Sequence, residues 1–164
     1  MQTSNCLISP ARRKKLEAQG FIGYSDKELA SRTFGIRFAP ALCSLFIATG
    51  VTFASIPLLS FVAITALFGV ILPYHPFDYL YNATVRHWLN KAPVGPNTPQ
   101  RRFACGLATL WLAGVIGLFY AHLFMLGYIL GAILASVALL VATTDFCIPS
   151  AIYNFLFRRT KAIA

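Results

Sequence analysis

Charge is scarce in this chain of 164 residues. Only 12% are Asp, Glu, Lys or Arg, against roughly 25% in an average soluble domain. Acid is scarcer still, with five Asp and Glu facing fourteen Lys and Arg. From Phe38 to Leu72, and again from Phe103 to Thr144, there is no charged residue at all. Other absences narrow the chemistry. No Cys-x-x-Cys or Cys/His spacing marks a zinc site. There is no phosphate-cradling loop, no paired acid and base, and no nucleophile beside a base, so nothing argues for an enzyme and no catalytic residue or metal ligand is named. No apolar stretch follows the basic N-terminus closely enough for a cleaved signal peptide.

What is there instead is apolar length. As one straight helix Phe38–Leu72 would extend about 52 Å, well beyond a hydrocarbon core of about 30 Å. Pro57 cannot donate to a helix ladder and disfavours helical backbone at Ile56, so the break is expected at Ser55-Ile56-Pro57. The second run is expected to break near Ala121-His122. The chain reads as an all-α membrane protein of four transmembrane helices, arranged as two tandem hairpins: spans 38–54 and 58–72, then 103–120 and 123–144. The first two spans are individually weak or short and are expected to insert as a pair. Full crossing is favoured over a hairpin that stops in the far interface.

The net charge of +9 would suggest nucleic acid in a soluble protein, but its placement points elsewhere. Seven basic residues precede the first run, four lie between the runs and three follow the second, while neither hairpin tip has any. The positive-inside rule therefore places both termini and the middle segment in the cytoplasm. The partners expected are anionic headgroups at that face and a membrane protein, not nucleic acid.

Residues 1–36 read as a basic cytoplasmic head. Ser9-Pro10 and Gly20 bracket one short helix, and Ser25-x-x-Glu28 has the spacing of a capping box starting a second. The first hairpin unit, 37–92, ends in an amphipathic helix over 76–91, with Phe77, Tyr81 and Trp88 towards the membrane interface and Asp78, Asn82, Arg86 and His87 towards water. A proline-rich connector, 93–101, leads to the second unit, 102–164, which ends in an interfacial helix over 149–159. At an offset of 65 residues Arg37-Phe38-Ala39 lies over Arg102-Phe103-Ala104. Each hairpin is followed by proline and then aliphatic-Tyr-Asn: Tyr81-Asn82 and Tyr153-Asn154. The chain thus reads as two parallel copies of one unit, related by an axis along the membrane normal.

Small residues at helix-packing spacing mark Ala113 and Gly117 on the third span and Gly127, Gly131 and Ala135 on the fourth. Packing within the chain is the default reading; a face offered to a partner is the sharper one. Asp145, at the edge of the fourth span, needs a cation, and Arg37 or Arg102 lies at the right depth to clamp the two halves together. All four cysteines fall on the reducing side. Cys43 and Cys105 read as small buried hydrophobes, leaving Cys6 and Cys147 as the candidate thiol site. His75, His87 and His122 are isolated, and polar interfacial groups are the commoner case. Haem or chlorophyll ligation is the lesser reading, and no cofactor is expected.

Cys6 with Arg12 and Arg13, the Arg-Phe-Ala start of the first span, Pro-Phe-Asp-Tyr-Leu-Tyr-Asn after the first hairpin, and Phe146-Cys147-x-x-Ser150-x-x-Tyr153 together resemble a family of small bacterial membrane proteins described only as a domain of unknown function. The resemblance covers about residues 34–157 and implies a four-span fold in the bacterial inner membrane. Many members carry Phe-Cys-x-x-Cys-x-x-Tyr where this chain has Ser150, which implies thiol or metal chemistry there but leaves this motif one thiol. The expected function is a non-catalytic accessory or structural subunit of a larger bioenergetic or transport complex. The alternative is a thiol-handling protein using Cys147, with or without Cys6.

Overall fold

The computed structural model describes residues 8–158, among which every regular element is helical. In chain order these are α1 (Pro10–Ala18), α2 (Asp26–Thr52), α3 (Ile56–Ile71), α4 (Pro76–Leu80), a π-helical turn over Tyr81–Val85, α5 (Arg86–Leu89), α6 (Pro99–Tyr120), α7 (Phe124–Thr144), α8 (Ile148–Tyr153) and a second π-helical turn over Asn154–Arg158. Three of them, α2, α6 and α7, are long and apolar enough to cross a membrane. The fourth candidate, α3, reaches that standard only together with Pro76–Leu89, from which it is bent by 83°. The protein is an all-helical membrane protein.

The capping box forms as its spacing predicts, with Ser25 and Glu28 bonding each other's backbone. The helix it starts is not short, however. It runs on through Pro40 as the 27-residue α2, about 40 Å long at 1.5 Å per residue. The separate second helix of the head is therefore corrected: its residues are the first turns of the first span. One proline removes one ladder bond, and the packing of α2 along α7 and α3 outweighs it.

The first tip also lies earlier than Pro57 predicts. Ala54 takes the left-handed conformation, φ 45°, while Ser55 N–H donates to Gly50 O at 2.7 Å and Ala54 N–H to Val51 O at 3.0 Å. That is a Schellman turn, and Pro57 sits in the first turn of α3, where a missing N–H costs nothing. The second tip uses the same bonds: His122, φ 58°, with Leu123 N–H on Leu118 O and His122 N–H on Phe119 O.

Helix pairing crosses between the hairpins. The most extensive contacts are α2 with α7 and α3 with α6, and those within each hairpin are fewer. The main core is Ile47, Val51, Leu59, Val62, Leu112, Val115, Phe119, Leu134 and Ala135. Ser44 Oγ donates to Ala135 O across α2 and α7 at 3.0 Å. A smaller core of Ile8, Leu16, Phe21, Leu29 and Ile36 ties the basic head to the start of α2.

Small residues divide by face. Gly127, Gly131 and Ala135 are buried, and a Cβ at Gly131 would collide with Val51 and one at Gly127 with Phe119. Ala113 and Gly117 are exposed, and a Cβ at Gly117 would meet nothing within 4 Å. Gly131→Ala is expected to destabilise the detergent-solubilised protein by about 1–3 kcal/mol through overpacking. Gly117→Ala should be neutral or stabilise by up to about 1 kcal/mol from helix propensity. Thermal unfolding of the two variants side by side measures the contrast.

Candidate functional site

Two buried carboxylates stand at the charged ends of the spans. Asp145 ends α7 in the left-handed conformation, φ 58°, which turns its side chain back towards the head. Its carboxylate receives Arg37 Nε at 2.6 Å on one oxygen, with Arg37 Nη2 at 2.5 Å and Arg12 Nε at 2.7 Å on the other. Lys15 Nζ donates to Thr144 O, and Gln19 Nε2 to Asp145 O. Asp145 is 1% exposed, while Arg37 and Arg12 keep about a third of their side chains open (31% and 34%). The clamp joins α1, α2 and α7.

Arg102, the other candidate partner, lies instead in an outer groove with Leu67, Val70 and Gly106. Its neighbour Arg101 takes the second carboxylate, with Nη2 2.9 Å from Asp78 Oδ2. The helical-wheel placement of Asp78 on the watery face is corrected here: the residue is 0% exposed. The bend after α3 folds α4 against α2 and α3, which turns Asp78, Phe77 and Tyr81 inward and leaves Leu80 and Trp88 outside. Burial pushes the Asp78 carboxyl up, against the opposing pull of Arg101.

Beside Arg101 the helices line a half-open cavity of about 430 Å³. Cys43 from α2, Cys105 from α6 and Cys147 before α8 all line it, together with His75, Arg101 and Trp111. Burial pushes the His75 imidazole down to about 4, so the ring is neutral at pH 7. Its Nδ1 accepts from Phe77 N–H at 3.2 Å and caps α4, so Nε2 bears the proton. The three cysteines are free thiols. Among the described residues no group of three or more His, Cys, Asp or Glu is placed to hold a metal ion.

The remaining candidates scatter. Cys6 lies outside the described residues. His87 and His122 are exposed, whereas His75 is buried. The two asparagines of the Tyr-Asn pairs fasten backbone. Asn82 bonds Val94 through both its amide groups, and Asn154 donates to Ala18 O while accepting from Gln100. Tyr81 is buried against Phe34 and Phe38, and Tyr153 packs on Phe103. Ser150 is 0% exposed and its hydroxyl has no partner. Reading residues singly missed Arg12, Arg101 and the inward turn of Asp78. The available signal was arithmetic: with five acids in the chain, each one at a span edge had to find a cation.

Asp145→Asn keeps a residue that tolerates the left-handed backbone and removes only the charge. Breaking a buried pair from one side costs roughly 3–5 kcal/mol, and the partial exposure of both arginines lowers the expectation to about 2 kcal/mol. Loss of the clamp should also release the head, so trypsin should cut at Arg12–Lys15 faster in Asp145→Asn than in the wild type under native conditions.

No curated protein and no solved structure matches the chain. The family described as a domain of unknown function, DUF4395, matches residues 33–158, and the chain belongs to that family.

Proposed function

We propose that this is a membrane thiol protein of the bacterial cytoplasmic membrane, with both termini in the cytoplasm and four spans in two equivalent hairpin units. Its business end is the cavity between the units, where apolar molecules dissolved in the bilayer meet Cys147, Cys105 and Cys43. The observation that carries this reading is convergence. Three of the four cysteines in the chain, from three separate segments, line one cavity.

Several features support the topology and the two-unit plan. Every described Lys and Arg stands outside the hairpin tips. The Phe of each Arg-Phe-Ala packs on the Tyr of a Tyr-Asn pair at the same 5.5 Å, Phe38 on Tyr81 and Phe103 on Tyr153. A π-helical turn follows each post-hairpin helix. The two tips share one turn geometry. All three are half-buried, but Cys43 and Cys105 lie within the spans as small apolar groups, whereas Cys147 lies just beyond the end of α7. It is the thiol we assign to chemistry. Cys6 would be its partner from the head.

Apolar walls concentrate apolar reagents by partition. In native membranes an uncharged maleimide should therefore modify Cys147 faster than it modifies free cysteine, and a charged maleimide should not. Ala108→Phe, which fills the cavity from α6, should slow that labelling while leaving the labelling of unfolded protein unchanged. Cys147 reacting no faster than free cysteine with either reagent would sink the proposal.

A second reading, a non-catalytic accessory subunit of a larger membrane complex, is favoured by the outward row Ala113, Gly114 and Gly117 on α6. A Cβ added at either glycine of that row would meet nothing within 4 Å, and small residues allow close helix approach. Gly117→Phe should then abolish co-purification of a membrane partner in mild detergent without lowering the melting temperature. A stable lone wild-type protein with no co-purifying partner would count against it.

A further inference from the structure

The cavity has an orientation that its thiols do not explain. Its walls are aliphatic, including Ala39, Ile47, Val62, Leu112, Leu134 and Val137, while His75 and Arg101 stand together on its lining. Arg101 is 11% exposed and holds Asp78 with one terminal nitrogen. The other, Nη1, is shut away from solvent with no acceptor. A guanidinium has only donors, and a buried donor left unpaired is costly, the more so when it is charged. The neutral His75 ring carries its proton on Nε2, since Nδ1 is occupied by Phe77 N–H. Both of these groups are therefore donors, and Gln19, which also lines the cavity, spends its amide N–H on Asp145 O. A purely apolar guest would leave Nη1 unpaired, and a guest with a donor head would oppose it.

We propose that the cavity binds one lipid-dissolved amphiphile with an apolar body and a hydrogen-bond-accepting oxygen head, the head seated on Arg101 Nη1. The volume of about 430 Å³ lies within the roughly 300–1,000 Å³ of small-molecule sites. Asp78 already balances the Arg101 charge, so a neutral carbonyl oxygen, as in a quinone or ester, suffices. A carboxylate offers the same acceptor chemistry from a second source. The proposal shares the cavity with the thiol reading but not its chemistry, since no step at sulfur is required.

The chain provides its own reporter. It contains two tryptophans, and Trp111 lines the cavity with its Nε1 fixed to Leu130 O at 3.0 Å. Trp88→Phe removes the other, which is 86% exposed. With the full chain in lipid nanodiscs, a benzoquinone carrying a decyl tail should quench Trp111 saturably. Dodecylamine, with a cationic donor head, should not compete. Palmitate competing with the quinone assigns the head to oxygen acids as well; palmitate failing to compete assigns it to neutral carbonyls.

Two further variants guard against trivial failure. Asp78→Leu with Arg101→Met removes both charges together, which avoids stranding either one. It should weaken quinone binding by at least about tenfold, equivalent to about 1.4 kcal/mol. Ala108→Phe should do the same by filling the space. Replacing Cys43, Cys105 and Cys147 together with Ala should leave quenching intact, so that loss of the thiol reading does not carry this one with it. Quenching that never saturates, equal binding by dodecylamine, or unchanged affinity in both the charge-pair and cavity-filling variants would overturn the proposal.

Discussion

The bundle depends on burying two carboxylates at the edge of an apolar phase. A charge there is expensive without a partner, and in both cases the cation comes from the other hairpin. Asp145, at the end of the second hairpin, is held by Arg37 at the start of the first, with Arg12 from the head. Asp78, just beyond the first hairpin, is held by Arg101 at the start of the second. The ion pairs are thus exchanged between the halves, and the helix pairing follows the same plan. The first helix of each hairpin runs mainly along the second helix of the other, α2 with α7 and α3 with α6. Lipid supplies little hydrophobic drive for helix association, so such end-clamps, with close approaches at Gly127 and Gly131, carry much of the specificity.

The long-range features of this fold were legible because they rest on composition. The long uncharged runs show a helical membrane protein. Local features set by competition were less so. The break was expected at Ser55-Ile56-Pro57, yet proline is harmless in a first helical turn, and the turn forms just before it on a left-handed Ala54 that no propensity rule favours. Ser25-x-x-Glu28 gave the true start of α2 but not its length, because a cap says where a helix begins and nothing about where it ends.

Asp78 shows the limit of a helical wheel more sharply. On a wheel it belongs with Asn82 and Arg86 on the wet side. In the fold α4 packs back against α2 and α3, and a π-helical turn at Tyr81–Val85 changes the phase before Trp88. One inserted residue per turn rotates everything after it, so no single face describes residues 76–89. The information needed was tertiary: Gly35 lets Tyr81 and Val94 approach α2 closely, and that approach fixes the direction of α4. The candidate site was hidden for the same reason. Cys43, Cys105 and Cys147 are spread over more than a hundred residues, and only the exchange of helices between hairpins brings them to one cavity.

That exchange also explains why a cavity survives. Closing it would require α2 and α6 to approach each other directly, but each is held by a different partner along its length and by a different carboxylate at its charged end. Apolar walls without an occupant forgo dispersion contacts at a cost, and a buried guanidinium nitrogen without an acceptor carries a second. Filling the cavity with larger side chains would remove the first cost and leave the second. A guest with an apolar body and an acceptor head removes both. The same two ion pairs that clamp the halves together would then also hold them apart at the width such a guest needs.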